Sequence, residues 1–254
     1  MIFLVISDEQ NSEIRKIKID FNKGMQQAIW DGRYELTSPI NFNTPDFDNP
    51  YYEADKGAMA VPGKYVAQIV KVVNDKPENV TDKVAFTIKS LNNYALSPKD
   101  QQKQNALNKE IAEFRRVVLG SSDYLGHLKN RIKYLKAGLN QTNSNALALK
   151  KDISDFEKLQ TELELKLYGD GSLAGREFET SPGFVGDMEQ MVYYTWAQTY
   201  GSTGDMEAKF VELKNLFGTH YTKIKELKTL TEQIETKAEA LKMPATYGRL
   251  PEWK

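Results

Sequence analysis

The chain has 254 residues, 40% of them hydrophobic and 27% charged, a globular composition with length enough for two domains. Its 34 Lys and Arg residues nearly cancel its 35 Asp and Glu residues, which argues against a nucleic-acid binder or a protein of anionic membrane surfaces. Because the chain has no cysteine, disulfides, thiolate nucleophiles and cysteine-ligated metal sites are excluded.

The first predicted element is a strand in the opening run "IFLVIS". This run is too short for a signal peptide, and no run in the chain reaches the length of a bilayer span, so no membrane insertion is expected. A core strand that starts at residue 2 indicates a piece of a longer protein, whose first domain is truncated at its N-terminal side.

Four more strands are predicted before residue 92 from segments rich in β-branched and aromatic residues. The segments are "EIRKIKI", "MQQAIW", "GKYVAQIVKVV" and "KVAFTIKSL", and turn-forming residues such as "NDKPENVTD" separate them. Strands without intervening helices predict an antiparallel β-sandwich of the immunoglobulin or fibronectin type over residues 1–94.

From Ser97 onward the hydrophobic period becomes that of helices. Between Leu107 and Leu139 the seam positions recur at spacings of four and three, with Ser121 as the only polar member, which predicts one long helix. Further helices are predicted at about 144–168, 182–200 and 206–241. Short loops between long amphipathic helices predict an antiparallel bundle of three or four helices over residues 95–254.

The stretch "MQQAIWDGRYE" places an acid and a base around a glycine, between two aromatic residues. This arrangement invites a catalytic interpretation, but each residue type also suits a turn. Trp30 can end a strand as a core anchor, Asp31 can accept backbone hydrogen bonds, and Gly32 allows the φ values of a turn. We therefore expect a fold signature, whose members are Trp30, Asp31, Gly32, Arg33, Pro62, Gly63 and Tyr65.

The long connection over residues 36–62 is the best candidate for a ligand-binding loop. Its carboxylates could ligate calcium and its aromatic rings could stack on a sugar, although the regular spacing and glycine pivot of calcium loops are absent. The pattern favours a solvated loop whose aromatics fold back onto the sandwich. The candidate ligand-binding residues are Asp46, Phe47, Asp48, Tyr51, Tyr52 and Asp55.

Sequence motifs that would identify an enzyme are absent from the chain. It contains no G-x-S-x-G elbow, no G-x-G-x-x-G loop after a strand and no phosphate-binding loop. Of its two histidines, His220 falls on the core stripe of the last helix and His127 falls off the seam of the first. We expect no catalytic residue, no metal and no cofactor.

Several motifs resemble those of known bacterial modules. "FLVISDEQNSEIRKIKIDFNKGMQQAIWDGRYE", followed by "AVPGKYVAQIVKV" and "FTIK", resembles an Ig-like module of the flagellar-hook-capping type. "FRRVV", "KLYGDGSL", "REFETSP" and "MPATYGRLPEW" resemble the helical tail of exported bacterial proteins with sortilin-type or sialidase-like β-propellers. The two likenesses together cover nearly the whole chain.

The resemblance implies a non-catalytic accessory region of an exported protein, which supports or docks an upstream β-propeller of the same parent. A glycan or cell-surface protein is a further implied partner. Because the S-x-D-x-G-x-T-W boxes of the propeller are absent, no catalytic residue carries over. Two alternatives stay open: a carbohydrate-binding module that uses residues 36–62, and an oligomerisation bundle that uses its helical seams between chains.

Overall fold

A β-sheet is followed by a set of helices in the computed structural model of the chain. The structure describes residues 1–20, 22–44, 48–52, 54–91, 96–198 and 200–253.

The strands are β1 (Ile2–Asp8), β2 (Glu13–Ile19), β3 (Gly63–Val73), β4 (Lys76–Asn79) and β5 (Val84–Ile88). They form one antiparallel sheet in the order β2-β1-β3-β4, and β5 pairs with the first half of β3. Because side chains alternate between faces, Leu4 and Ile6 of β1 share a face with Ala67 of β3. This face carries a small core made of Ile6, Ile14, Ala60 and Tyr65.

Two predictions about the strands are wrong. The segment "MQQAIW", residues 25–30, forms no strand, since Met25 and Ile29 are exposed rather than packed on a sheet face. The segment predicted as a turn around Pro77 instead contains β4. Asn74 and Asp75 both have positive φ, the geometry of a two-residue hairpin turn, and the proline lies on an edge strand, where a missing N–H is tolerated.

The helices are α1 (Pro98–Gly138), α2 (Leu149–Tyr168), α3 (Gly171–Ala174), α4 (Gly183–Trp196) and α5 (Gly204–Ala240), with 3₁₀ turns over 139–141 and 144–148. The four helices expected from the sequence are confirmed, with ends that differ by a few residues; the short α3 was not expected. No helix among the described residues is long and apolar enough to cross a membrane.

The chain divides into two compact units. The first consists of residues 1–113 and 193–203 and contains the sheet, while the second consists of residues 114–192 and 204–254 and contains most of the helices. The division that we predict after residue 94 lies among residues that the structure does not describe.

In the second unit, ion pairs show which helices are neighbours. The ammonium of Lys129 lies 3.0 Å from a carboxylate oxygen of Glu164, and that of Lys136 lies 2.7 Å from Glu157, so α1 and α2 run antiparallel. Arg131 pairs with Glu235 on α5.

The helical seams in this unit are buried within the one chain. Buried seam positions of α1 are Val118, Leu125, Leu128, Ile132 and Leu135, and those of α5 include Leu213, Ile224, Leu227 and Ile234. This burial confirms the stripes predicted from the four–three spacing.

Within the described residues the strands belong to a single sheet, so the two-sheet sandwich stays a prediction, as does the classification of the helices as a bundle. What the structure establishes is an antiparallel sheet of five strands with a mainly helical second half.

Candidate functional site

The sharpest sequence motif, "WDGR", forms a turn. The backbone N–H of Arg33 donates to Oδ1 of Asp31 at 3.1 Å, and Gly32 between them has a φ of +73°. The indole N–H of Trp30 donates to the carbonyl of Arg33 at 2.9 Å. Acid, glycine and indole are therefore all used to close the turn.

Residues 58–60 hold this turn against the rest of the first unit. The N–H of Ala60 donates to the carbonyl of Gly32 at 2.8 Å, and that of Tyr34 to the carbonyl of Ala58 at 2.9 Å. The guanidinium of Arg33 donates to the carbonyl of Gly57 at 3.0 Å. The side chain of Arg33 is therefore hydrogen-bonded to the backbone of the long connection, which is a structural role.

Gly57 is required at this point for a steric reason. A Cβ at this position would lie 2.2 Å from the carbonyl oxygen of Tyr34, closer than atoms can approach. The N-terminal and C-terminal ends of the long connection thus lie side by side, and only a residue without a side chain fits between them.

The aromatic members of the predicted signature meet in the core. The ring centroid of Trp30 lies 5.8 Å from that of Tyr65 and 6.0 Å from that of Phe86. The hydroxyl of Tyr65 donates to the carbonyl of Val61 at 2.6 Å, which ties the start of β3 to the residues before it. Pro62 and Gly63 lie between Val61 and Tyr65, where β3 begins.

Only some of the predicted ligand-binding residues lie in the part of the chain that the structure describes. Asp46 and Phe47 lie outside the described residues, and Asp48 is exposed. Tyr51 is 90% exposed and Tyr52 is 40% exposed. The backbone N–H of each donates to Asn49, through the side-chain oxygen for Tyr51 and the carbonyl for Tyr52, so a tight turn presents the two rings.

Asp55 lies at the other end of this loop, where the hydroxyl of Ser38 donates to it. No group of three or more His, Cys, Asp or Glu residues within the described parts of the chain has the arrangement of a metal site. The ring of Tyr51 lies in solvent and does not fold back onto the sheet, whereas more than half of the surface of Tyr52 is covered.

The two histidines are placed as the sequence predicts. His127 is exposed and lies 3.4 Å from Asp123, one turn earlier on α1. His220 is 4% exposed and meets the ring of Phe184 edge-on at 5.3 Å. Burial, with a smaller effect from Lys166, lowers the pKa of His220 below its ordinary value.

Arginine ion pairs in the second unit were not foreseen. Arg115 makes a two-pronged contact to Glu189 on α4, with N–O distances of 2.9 and 3.1 Å. The hydrogen bond that the Arg131 guanidinium donates to the Glu235 carboxylate raises the pKa of Arg131. No local signal reveals such pairs, because the partners lie 74 and 104 residues apart in the sequence.

The C-terminal segment is held in the same way. The guanidinium of Arg249 donates to the carbonyls of Met243, at 2.7 Å, and Pro244, and it pairs with Glu239. Arg249 of the "MPATYGRLPEW" motif therefore holds the segment that follows α5 against the end of that helix.

A groove that sequence reasoning also missed lies between α1 and α5. It has a volume of about 390 Å³, with Gly120 and Ser121 on one side and the side chains of Tyr221 and Lys225 on the other. The one available signal was Ser121, the only polar member of the α1 seam.

Comparisons with protein-family models, with curated proteins and with solved structures gave no match to this chain.

Trp30→Ala is expected to destabilise the first unit by roughly 3 kcal/mol, the low end for aromatic truncations, because Trp30 keeps part of its surface exposed. Urea unfolding followed by circular dichroism measures this loss. Phe42→Ala is the matched control, since Phe42 is 98% exposed, and it should change stability little. Equal stability of the two variants would contradict the anchor role.

The stability of the second unit is expected to fall as pH drops through about 6.5, the ordinary pKa of histidine. The folded state holds His220 neutral, so the unfolded state binds its proton first and gains population on acidification. The loss is complete once pH passes the lowered pKa of the folded state.

His220→Gln should remove this part of the pH dependence, whereas His127→Gln should leave it in place. Urea midpoints measured in steps of pH between about 7.5 and 5.5 test both variants. Parallel curves for the wild type and His220→Gln would show that His220 is not the group responsible.

Proposed function

We propose that this chain is a non-catalytic interaction region of a larger exported bacterial protein. In this proposal an immunoglobulin-like β-sandwich and an antiparallel helical bundle support or dock an upstream β-propeller of the same parent. Any catalytic activity then belongs to the propeller.

The observation that carries the proposal is a run of exposed apolar side chains in an irregular segment of the first unit. Met25 is 100% exposed, Ile40 is 92% exposed, and Phe42 is 98% exposed. Ile29 and Leu36 between them are also exposed. Single exposed apolar residues are ordinary, but five of them between residues 25 and 42 favour a segment that a partner covers.

The use of polar groups supports the same proposal. Of the pair that invited a catalytic interpretation, Asp31 accepts a hydrogen bond from the backbone of the turn and Arg33 donates one to the backbone of the long connection. His220 packs against Phe184 inside the helices. A catalytic acid or base needs access to a substrate, which the buried His220 lacks.

The burial of both helical seams weighs against the oligomerisation alternative. Leu128 and Leu227 have no exposed surface within a single chain. Their apolar side chains are already used, so they leave a second copy nothing to bind.

The test measures binding between this chain and the separately produced propeller of its parent by isothermal titration calorimetry. The double variant Ile40→Ser with Phe42→Ser should bind at least about tenfold more weakly, since buried apolar anchors carry most of an interface's energy. Val211→Ser, which removes an exposed apolar residue from α5, is the control and should bind like the wild type.

Equal binding by the double variant and the wild type would overturn the docking proposal, as would a parent protein without a propeller. Turnover of a glycoside or peptide by the isolated chain, abolished by changing Asp48 or Asp55, would overturn its non-catalytic part.

A carbohydrate-binding module is the second candidate. The turn at Asn49 presents Tyr51 and Tyr52 to solvent, and exposed aromatic rings on a held turn suit the faces of sugars. Asp48 and Asp55 on the same loop could accept hydrogen bonds from sugar hydroxyls.

Under this alternative, Tyr51→Ala removes binding to a glycan and leaves the circular dichroism spectrum unchanged. A glycan array identifies the ligand and compares the variants. Tyr193→Ala, which removes an exposed tyrosine from α4, should retain every signal. An array without signal for the wild-type chain would reject the module.

A further inference from the structure

The groove between α1 and α5 is formed by a gap in the apolar seam of α1. Ser121 stands where the seam otherwise carries large apolar side chains, and Gly120 precedes it. A Cβ built on Gly120 would meet no atom within 4 Å, so open space begins at the helix surface. The volume of 390 Å³ lies at the small end of the range of about 300–1,000 Å³ for small-molecule sites.

The charged residues that line the groove are all cationic. They are Arg116, Lys225 and Lys228, and none of the described residues that line it is a carboxylate. Glu232 lies just outside the lining, 3.5 Å from the ammonium of Lys228, and offsets part of that charge. The ammonium of Lys225 lies 4.6 Å from the centre of the Tyr221 ring, which holds the charge beside the groove.

The neutral lining of the groove is both apolar and rich in hydroxyl groups. Ser121, Tyr124 and Tyr221 are among the lining residues, and each carries a hydroxyl that can donate and accept hydrogen bonds. Val117 and Ile224 contribute aliphatic surface. A ligand matched to this lining has hydroxyls, C–H surface and negative charge in one small molecule.

We propose that this groove binds an anionic saccharide, a sugar ring that carries a carboxylate or a sulfate. The acid group lies among Arg116, Lys225 and Lys228, where charge-assisted hydrogen bonds are strongest. The ring hydroxyls bond to the serine and tyrosine hydroxyls, and the C–H surface of the ring covers Val117 and Ile224.

This site lies in the second unit and is separate from the exposed apolar segment and from the Tyr51 loop of the first unit. Its ligand is also distinct, because a docked propeller or a neutral glycan would not need three cations. Failure of either proposal leaves the other unaffected.

The experiment titrates the full chain with three probes and follows backbone amide signals by nuclear magnetic resonance. The probes are a disaccharide that contains glucuronic acid, its neutral glucose counterpart and inorganic sulfate. The acidic disaccharide should shift signals of residues 116–124 and 221–228, and its affinity should fall as salt is raised. The neutral disaccharide should bind at least about tenfold more weakly, because it forms no charge-assisted hydrogen bonds.

Gly120→Leu tests the space in the groove. The substitution replaces a helix-disfavouring glycine at an open position, so the variant should fold at least as stably as the wild type while its side chain fills the groove. Binding of the acidic disaccharide should be lost. Gly126→Leu is the matched control, because Gly126 is also an open glycine on α1 but does not line the groove, and it should bind like the wild type.

Lys225→Ala tests the charge and should weaken binding about tenfold, as expected for one charge-assisted hydrogen bond. Lys223→Ala is its control, since Lys223 pairs with Glu226 on the same helix and does not line the groove. Three results would overturn the proposal: no binding of the acidic disaccharide, equal binding of the neutral one, or equal binding by Gly120→Leu and Gly126→Leu. If sulfate binds and the acidic disaccharide does not, the groove is a general anion site, and the proposal of a saccharide site is overturned.

Discussion

Burial of the α1 seam is the interaction on which most of this structure depends. Leu125, Leu128, Ile132 and Leu135 are fully or almost fully buried along one face of a single helix. An isolated amphipathic helix is marginal in water, so α1 is stable because α2 and α5 cover this face. The ion pairs at its margins, such as Lys136 with Glu157 and Arg131 with Glu235, show that α2 and α5 are its neighbours.

The same seam explains why the polar residues of the second unit are used as they are. Arg115 and Arg131 extend from α1 beside the buried face, where a guanidinium must be matched by a carboxylate. Where the seam carries Ser121 in place of an apolar side chain, space opens instead, and cations gather around it. The packing of α1 therefore accounts both for the arginine–carboxylate pairs and for the groove.

In the first unit the long connection plays the corresponding part. Backbone hydrogen bonds between the "WDGR" turn and residues 58–60 hold its two ends together. Gly57 has no side chain, so the two segments can pass close to each other there. The middle of the connection is left outside this closure and carries exposed side chains such as Phe42 and Tyr51. A rigid base with an exposed apolar tip is the arrangement by which loops present binding residues.

Local sequence determined the elements that depend on periodicity. The four–three spacing of α1 and α5 predicted their buried faces, including His220, since a helix returns the same face every seven residues. Turn chemistry predicted the role of Asp31 and Gly32 for the same local reason. Only the tertiary structure decided that residues 25–30 are not a strand and that residues 76–79 are, because strand formation depends on a partner strand that periodicity does not specify. It also decided the Arg131–Glu235 pair and the groove beside Ser121, whose members are about a hundred residues apart and meet only when the helices pack.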